Sequence, residues 1–130
     1  MKVNIGLIGF GTMGKNYARL LKKLNNLCNL LAISDTNKNL KHEAENYATF
    51  YLNYEEMLKN EKLEAVCIVI PPSLNLKVAK TCIEFNIKNI LVEKPLTTLK
   101  QVKEGYELIK IAEKEGVKIM VGDIICYDSA

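Results

Sequence analysis

The 130-residue sequence has room for one domain of ordinary size, and its 48% apolar content is enough to fill a single core. The 18 Lys and Arg against 15 Asp and Glu leave a formal charge of +3 that is spread without basic blocks, which argues against a nucleic-acid partner. No secretory pattern opens the chain and no apolar run approaches the roughly 18 residues a membrane span needs, so a cytoplasmic protein without membrane contact is expected.

In chain order, "VNIGLI" (3–8) reads as a strand, and from Thr12 to about Asn26 the residues Met13, Tyr17, Leu20, Leu21 and Leu24 fall on one helical face. "LLAIS" (30–34) is a second buried strand. A polar helix is expected over 37–48, followed by a short strand at "TFYL" and a brief helix at "YEEMLKN". The continuous apolar run "AVCIVI" (65–70) is the strongest strand, covered on both faces, and Pro71 and Pro72 stop it. Leu74, Val78, Cys82 and Phe85 recur at helical spacing, and "NILV" (89–92) is the next strand. Leu99, Val102, Tyr106 and Ile109 mark a longer helix ending near Gly116, and "KIMV" (118–121) is the last strand. This alternation predicts an α/β fold: a doubly wound parallel sheet with right-handed crossovers, in the Rossmann strand order 3-2-1-4-5-6. Cys28, Cys67, Cys82 and Cys126 lie far apart with no C-x-x-C pair, and the only histidine is His42. Buried, reduced thiols are therefore expected, with neither a disulfide framework nor a metal site.

Gly9, Gly11 and Gly14 form G-x-G-x-x-G directly after a strand and at the mouth of a helix, and Asp35 follows at the end of the second strand, 21 residues beyond Gly14. These are the conditions of a dinucleotide-binding fingerprint. Gly9 permits the tight turn, Gly11 keeps side-chain atoms away from a diphosphate, and Gly14 lets the helix pack on the sheet. In the loop Gly9-Phe10-Gly11-Thr12-Met13-Gly14, the amides around Thr12 and Met13 face the anion at the positive end of the helix dipole. A carboxylate at Asp35 accepts from both ribose hydroxyls of the adenosine and repels a 2′-phosphate, so NAD is favoured. NADP stays open, because Thr36 and Lys38 could solvate a phosphate if Asp35 turned away. Asp35 as a mere helix cap or turn residue is the competing reading.

"IPPSLN" (70–75) and "EKP" (93–95) both close strands that border the crevice of an open parallel sheet. That position directs Lys94 over the nicotinamide half of a bound dinucleotide, with Pro95 fixing the turn.

"GLIGFGTMG", Asp35, "IPPSLN", "ILVEKPLTT" and "MVGDIICYDSA" resemble, over essentially the whole chain, the N-terminal half of the glucose-fructose oxidoreductase and inositol 2-dehydrogenase family, Gfo/Idh/MocA. The resemblance implies an NAD- or NADP-binding Rossmann domain of an enzyme acting on a hydroxyl carbon of a sugar, cyclitol or related metabolite. It implies that Glu93 and Lys94 lie beside the nicotinamide, that Lys94 is catalytic, holding the substrate hydroxyl or tuning proton transfer, and that a cis peptide bond precedes Pro95. Ile70, Pro71, Pro72 and Asn75 would line the nicotinamide end.

Family members are usually more than twice as long, and their second domain supplies the substrate pocket. The expectation is thus a dinucleotide-binding domain over 1–122, a remnant of the connection at 123–130, and no substrate domain in this chain. Asn75 stands where the family often has histidine and Ile70 where it often has threonine. After Val121-Gly122, Asp123 and Cys126 occupy places often held by histidine and arginine, and Ser129 stands in for proline. The leading expectation is an oxidoreductase half that is catalytically incomplete alone, completed by a separate substrate-domain chain, and homodimeric through the uncovered last strand and "IIC" (124–126). The alternative is a module that senses NAD(H) or another nucleotide without chemistry and regulates a partner.

Overall fold

The computed structural model of the protein describes residues 1–122, so the expectations placed on 123–130, including Asp123, Cys126 and Ser129, lie outside the described residues. Strands β1 (Val3–Ile8), β2 (Cys28–Ser34), β3 (Thr49–Tyr51), β4 (Ala65–Ile68), β5 (Asn89–Glu93) and β6 (Lys118–Gly122) alternate with helices α1 (Thr12–Lys23), α2 (Lys41–Ala44), α3 (Tyr54–Asn60), α4 (Asn75–Glu84) and α5 (Val102–Glu115). The sheet order is β3-β2-β1-β4-β5-β6, the predicted Rossmann order, and every strand pair is parallel.

The parallel ladder puts all strand carboxyl ends on one edge, and the order reverses between β1 and β4, which opens a crevice there. The central strands are the apolar ones because helices cover both their faces. Ile8, Val66, Ile68, Ile90 and Val92 face α4 and α5, while Leu7, Ile33 and Cys67 face α1. Each such aliphatic side chain withdrawn from water contributes about 1.5–3 kcal/mol before conformational entropy is counted.

Several elements differ from the sequence expectation, each for a local reason. Helix α1 ends at Lys23 rather than near Asn26, and β2 starts earlier, at Cys28, whose amide takes the Leu24 carbonyl at 3.0 Å as the chain turns. The polar stretch expected as one helix over 37–48 is a short 3-10 turn at Lys38–Leu40, capped by the Asn37 side chain, followed by the single turn of α2. With only Ala44 buried in α2, little apolar contact holds a longer helix. The strongest strand stops at Ile68; the Val69 amide makes one more bond to β1, donating to the Ile8 carbonyl at 2.8 Å, and Val69 and Ile70 line the crevice wall.

The face of α5 is also not the one its large residues mark. Leu108 and Ala112 are buried in the core cluster with strand and α4 side chains and Gly105 is buried against the Thr97 side chain, whereas Val102, Tyr106 and Ile109, with Leu99 in the 3-10 turn before the helix, are exposed, Leu99 at 96% and Tyr106 at 67%. Small side chains at 105 and 112 allow close approach, so that stripe wins the contact although the other is more apolar.

Candidate cofactor-binding site

The glycine turn joins β1 to α1 at the carboxyl edge of the sheet, and two bonds tie it to the end of β2. Gly9 lies at φ +104°, in the left-handed half of backbone space, and its amide donates to the Ser34 carbonyl at 2.7 Å. The Phe10 amide donates to Asp35 Oδ2 at 2.8 Å, and the Asn37 amide donates to the other carboxylate oxygen, Oδ1, at 2.8 Å. Asp35 is thus fixed from two sides, next to the turn that holds the dinucleotide motif.

A Cβ added at each glycine separates fold from ligand. At Gly9 it would sit 1.9 Å from the Val69 carbonyl oxygen, and at Gly14 2.2 Å from the Gly9 carbonyl oxygen, so both glycines are required by backbone contacts within the protein. At Gly11 it would meet nothing within 4 Å. Space beside Gly11 is what a diphosphate requires, and the turn fits one. Gly11 is the N-cap of α1 and offers no side-chain acceptor, which leaves the first helical amides, Thr12 and Met13, without an intrahelical partner.

A cleft of about 640 Å³ opens along this edge. Of the residues singled out from the sequence, Gly9, Gly11, Met13, Gly14, Asp35, Thr36, Ile70, Pro71 and Glu93 line it. Phe10 contributes its amide only, because its ring is fully buried and stacks edge-on against Tyr47. Thr12 is exposed at the start of α1, and Pro72 opens the 3-10 turn after β4. Asn75 is fully buried behind the β5 end, where Nδ2 donates to the Pro95 carbonyl at 2.8 Å and more weakly to the Glu93 carbonyl at 3.4 Å. Its bonds straddle Lys94, whose side chain is exposed and outside the cleft lining. The peptide bond before Pro95 is cis, as the resemblance implied. Glu93 is anchored from below: the Tyr17 hydroxyl, on α1, donates to its Oε2 at 2.5 Å.

Sequence reasoning did not find the wall formed by Leu52, Asn53, Tyr54 and Glu55 between β3 and α3, nor Ser34, Val69 and Val78, whereas Leu74 belongs to the stretch 70–75 that it placed at the crevice. The Asn53 side chain caps α3 by accepting from the amides of Glu55 and Glu56, which holds this turn against the cleft. Strand order carried the missing signal, since β3 beside β2 necessarily brings its carboxyl end next to Asp35. Among the described residues no group of three His, Cys, Asp or Glu side chains is placed to hold a metal ion. Cys28, Cys67 and Cys82 are buried free thiols, and burial pushes Cys67 and Cys82 up to about 12. No helix among the described residues is long and apolar enough to cross a membrane.

The strand order, the glycine turn and the carboxylate at the end of β2 together define a Rossmann dinucleotide-binding domain. The chain belongs to the Gfo/Idh/MocA oxidoreductase family, whose NAD-binding Rossmann fold matches residues 3–123. It is 36% identical over 78 residues to an uncharacterized oxidoreductase of Synechocystis, a match covering 60% of this chain and 20% of that protein. It is 28% identical over 135 aligned positions to inositol 2-dehydrogenase of Agrobacterium fabrum, covering 99% of this chain and 39% of that one. A scyllo-inositol dehydrogenase of Lactobacillus casei, solved with NAD(H) and scyllo-inositol, shares the fold with a TM-score of 0.86 at 18% identity, over 98% of this chain and 38% of its own. The chain therefore spans well under half the length of these relatives.

Proposed function

We propose that this chain is the NAD(H)-binding half of an oxidoreductase that acts on a hydroxyl carbon of a sugar, cyclitol or related metabolite, with the substrate-binding half contributed by a separate domain or chain. The observation that carries the reading is the pairing of an open Gly11 with an Asp35 held in place by the Phe10 and Asn37 amides. Amides of the turn and of the first residues of α1 take the diphosphate, and Asp35 takes the adenosine ribose hydroxyls. Because two main-chain amides fix the carboxylate, it does not swing aside for a 2′-phosphate, which supports NAD over NADP.

With adenosine over β2 and β3, the nicotinamide end lies over β4 and β5, between Ile70-Pro71 and Glu93. The cofactor supplies the hydride acceptor or donor. Lys94, presented by the Asn75-braced turn, is the group that holds the substrate hydroxyl or its proton. Turnover also needs groups from the substrate-binding half. The inositol dehydrogenase relative supports a polyol or sugar as substrate class. Buried free thiols support a cytoplasmic setting, and the exposed apolar stripe of α5 with Met120 and Val121 on edge strand β6 supports a homodimer.

Titration of the protein into NADH, followed by nicotinamide fluorescence, tests the reading. Binding in the micromolar to millimolar range, about −8 to −4 kcal/mol, is expected, and NADPH should bind at least about tenfold more weakly. A folded protein that leaves NADH fluorescence unchanged overturns it.

A further inference from the structure

Among the described residues, the charged side chains lining the cleft are Asp35, Glu55 and Glu93, all carboxylates, with no Lys, Arg or His. They divide between two flanks. Asp35 and Glu55 follow β2 and β3, on the adenosine side, whereas Glu93 ends β5, on the opposite side of the β1–β4 crevice. Glu93 is half-buried and does not float: Tyr17, itself buried in the core between α1 and the sheet, donates its hydroxyl to one carboxylate oxygen. The main chain around it is equally fixed, by the Asn75 bond to the Glu93 carbonyl and by the Lys94 amide donating to the Gly122 carbonyl.

The two forms of a nicotinamide dinucleotide differ by one charge at one place. The oxidised ring is a pyridinium cation and the reduced ring is neutral. A fixed carboxylate in the wall that faces this end attracts only the first. We infer that Glu93 biases the cleft toward the oxidised cofactor, a discrimination between redox states built into the cofactor site itself. The inference rests on the proposed NAD(H) reading and on its orientation of the dinucleotide. Tyr17 is the positioning residue, since its hydroxyl keeps the carboxylate in the wall. A site of this kind favours the form of the cofactor that takes a hydride from an alcohol.

Dissociation constants for NAD⁺ and NADH, measured by calorimetry on the wild type and on Glu93→Gln, Glu93→Asp and Glu55→Gln proteins, test it. Glu93→Gln should raise the ratio Kd(NAD⁺)/Kd(NADH) on the order of tenfold, equivalent to about 1.4 kcal/mol. Glu93→Asp keeps the charge and should hold the ratio within about threefold of wild type, well short of the Gln shift. Glu55→Gln, on the other flank, should move both constants together. An unchanged ratio in Glu93→Gln, or the same shift in Glu93→Asp as in Glu93→Gln, overturns the inference while leaving cofactor binding intact. Should Glu93→Gln fail to fold, the wild type decides: the relative affinity for NAD⁺ must fall as salt rises from about 0.02 to 0.5 M, because screening weakens the attraction, and a constant ratio overturns it. Wild-type protein that binds neither form removes the functional reading itself, and the inference with it.

Discussion

The amide of Phe10 donates to Asp35 Oδ2 across 2.8 Å, tying the turn after β1 to the end of β2. The same carboxylate accepts from the Asn37 amide and lines the cleft, where the proposed function assigns it to the adenosine ribose. Asp35→Ala should reduce NAD⁺ affinity about 10- to 100-fold, because hydrogen bonds to a charged acceptor are worth about 1.5–3 kcal/mol. It should also lower stability by about 1–3 kcal/mol, since the buried Phe10 amide loses its acceptor. Calorimetric titration and urea unfolding measure the two effects on the same preparation, and the NAD⁺ preference over NADP⁺ should narrow.

Gly11 and Gly14 should respond in opposite ways. Gly14→Ala drives a methyl to within 2.2 Å of the Gly9 carbonyl oxygen and should destabilise the fold by more than about 2 kcal/mol. Gly11→Ala meets only open cleft and should keep stability within about 1 kcal/mol of wild type, yet weaken dinucleotide binding at least about tenfold. Equal losses of stability in the two variants would place the glycines in the fold alone.

On α5 the apolar stripe that periodicity selects is not the one that packs. Leu108→Ala should cost about 2–5 kcal/mol, whereas Leu99→Ala should change stability by less than about 0.5 kcal/mol. Thermal melts at a protein concentration low enough to exclude self-association check both. Light scattering on Tyr106→Lys then tests whether the exposed stripe supports self-association: a shift toward monomer is expected.

Burial raises the Cys67 and Cys82 thiols from their ordinary value of 9.0 to about 12, with Cys28 adding to the effect at Cys67. The folded state therefore favours the neutral thiol. This contribution is complete below pH 9.0 and is lost progressively as pH rises toward about 12. Melting temperature should fall across that window, and Cys82→Ala, though less stable at neutral pH, should show a shallower alkaline fall. Both thiols should resist thiol reagents in the native protein at pH 7.5 and react on unfolding.

The sheet was legible because its central strands are short, continuous apolar runs bounded by glycine, proline and polar turns, and that grammar is local. The glycine turn and Asp35 were legible for the same reason. What the sequence did not disclose depends on the fold as a whole. Helix α5 carries two stripes, Val102-Tyr106-Ile109, continued back to Leu99 in the 3-10 turn before it, and Gly105-Leu108-Ala112, and only the packing of the whole fold selects the smaller one. The wall at Leu52–Glu55 enters the cleft because β3 pairs with β2, a contact between segments that are not adjacent in motif terms. Likewise, nothing local in the sequence shows that Tyr17 reaches Glu93, 76 residues away.

Calorimetric titration of NAD⁺ into wild-type and Gly11→Ala proteins tests the central claim most directly. Saturable binding by the wild type, with Kd between about 1 µM and 1 mM and at least tenfold weaker in Gly11→Ala, is the expected result. A wild-type protein with its native melting transition that takes up no NAD⁺ at about 10 mM contradicts the claim that this cleft holds a dinucleotide.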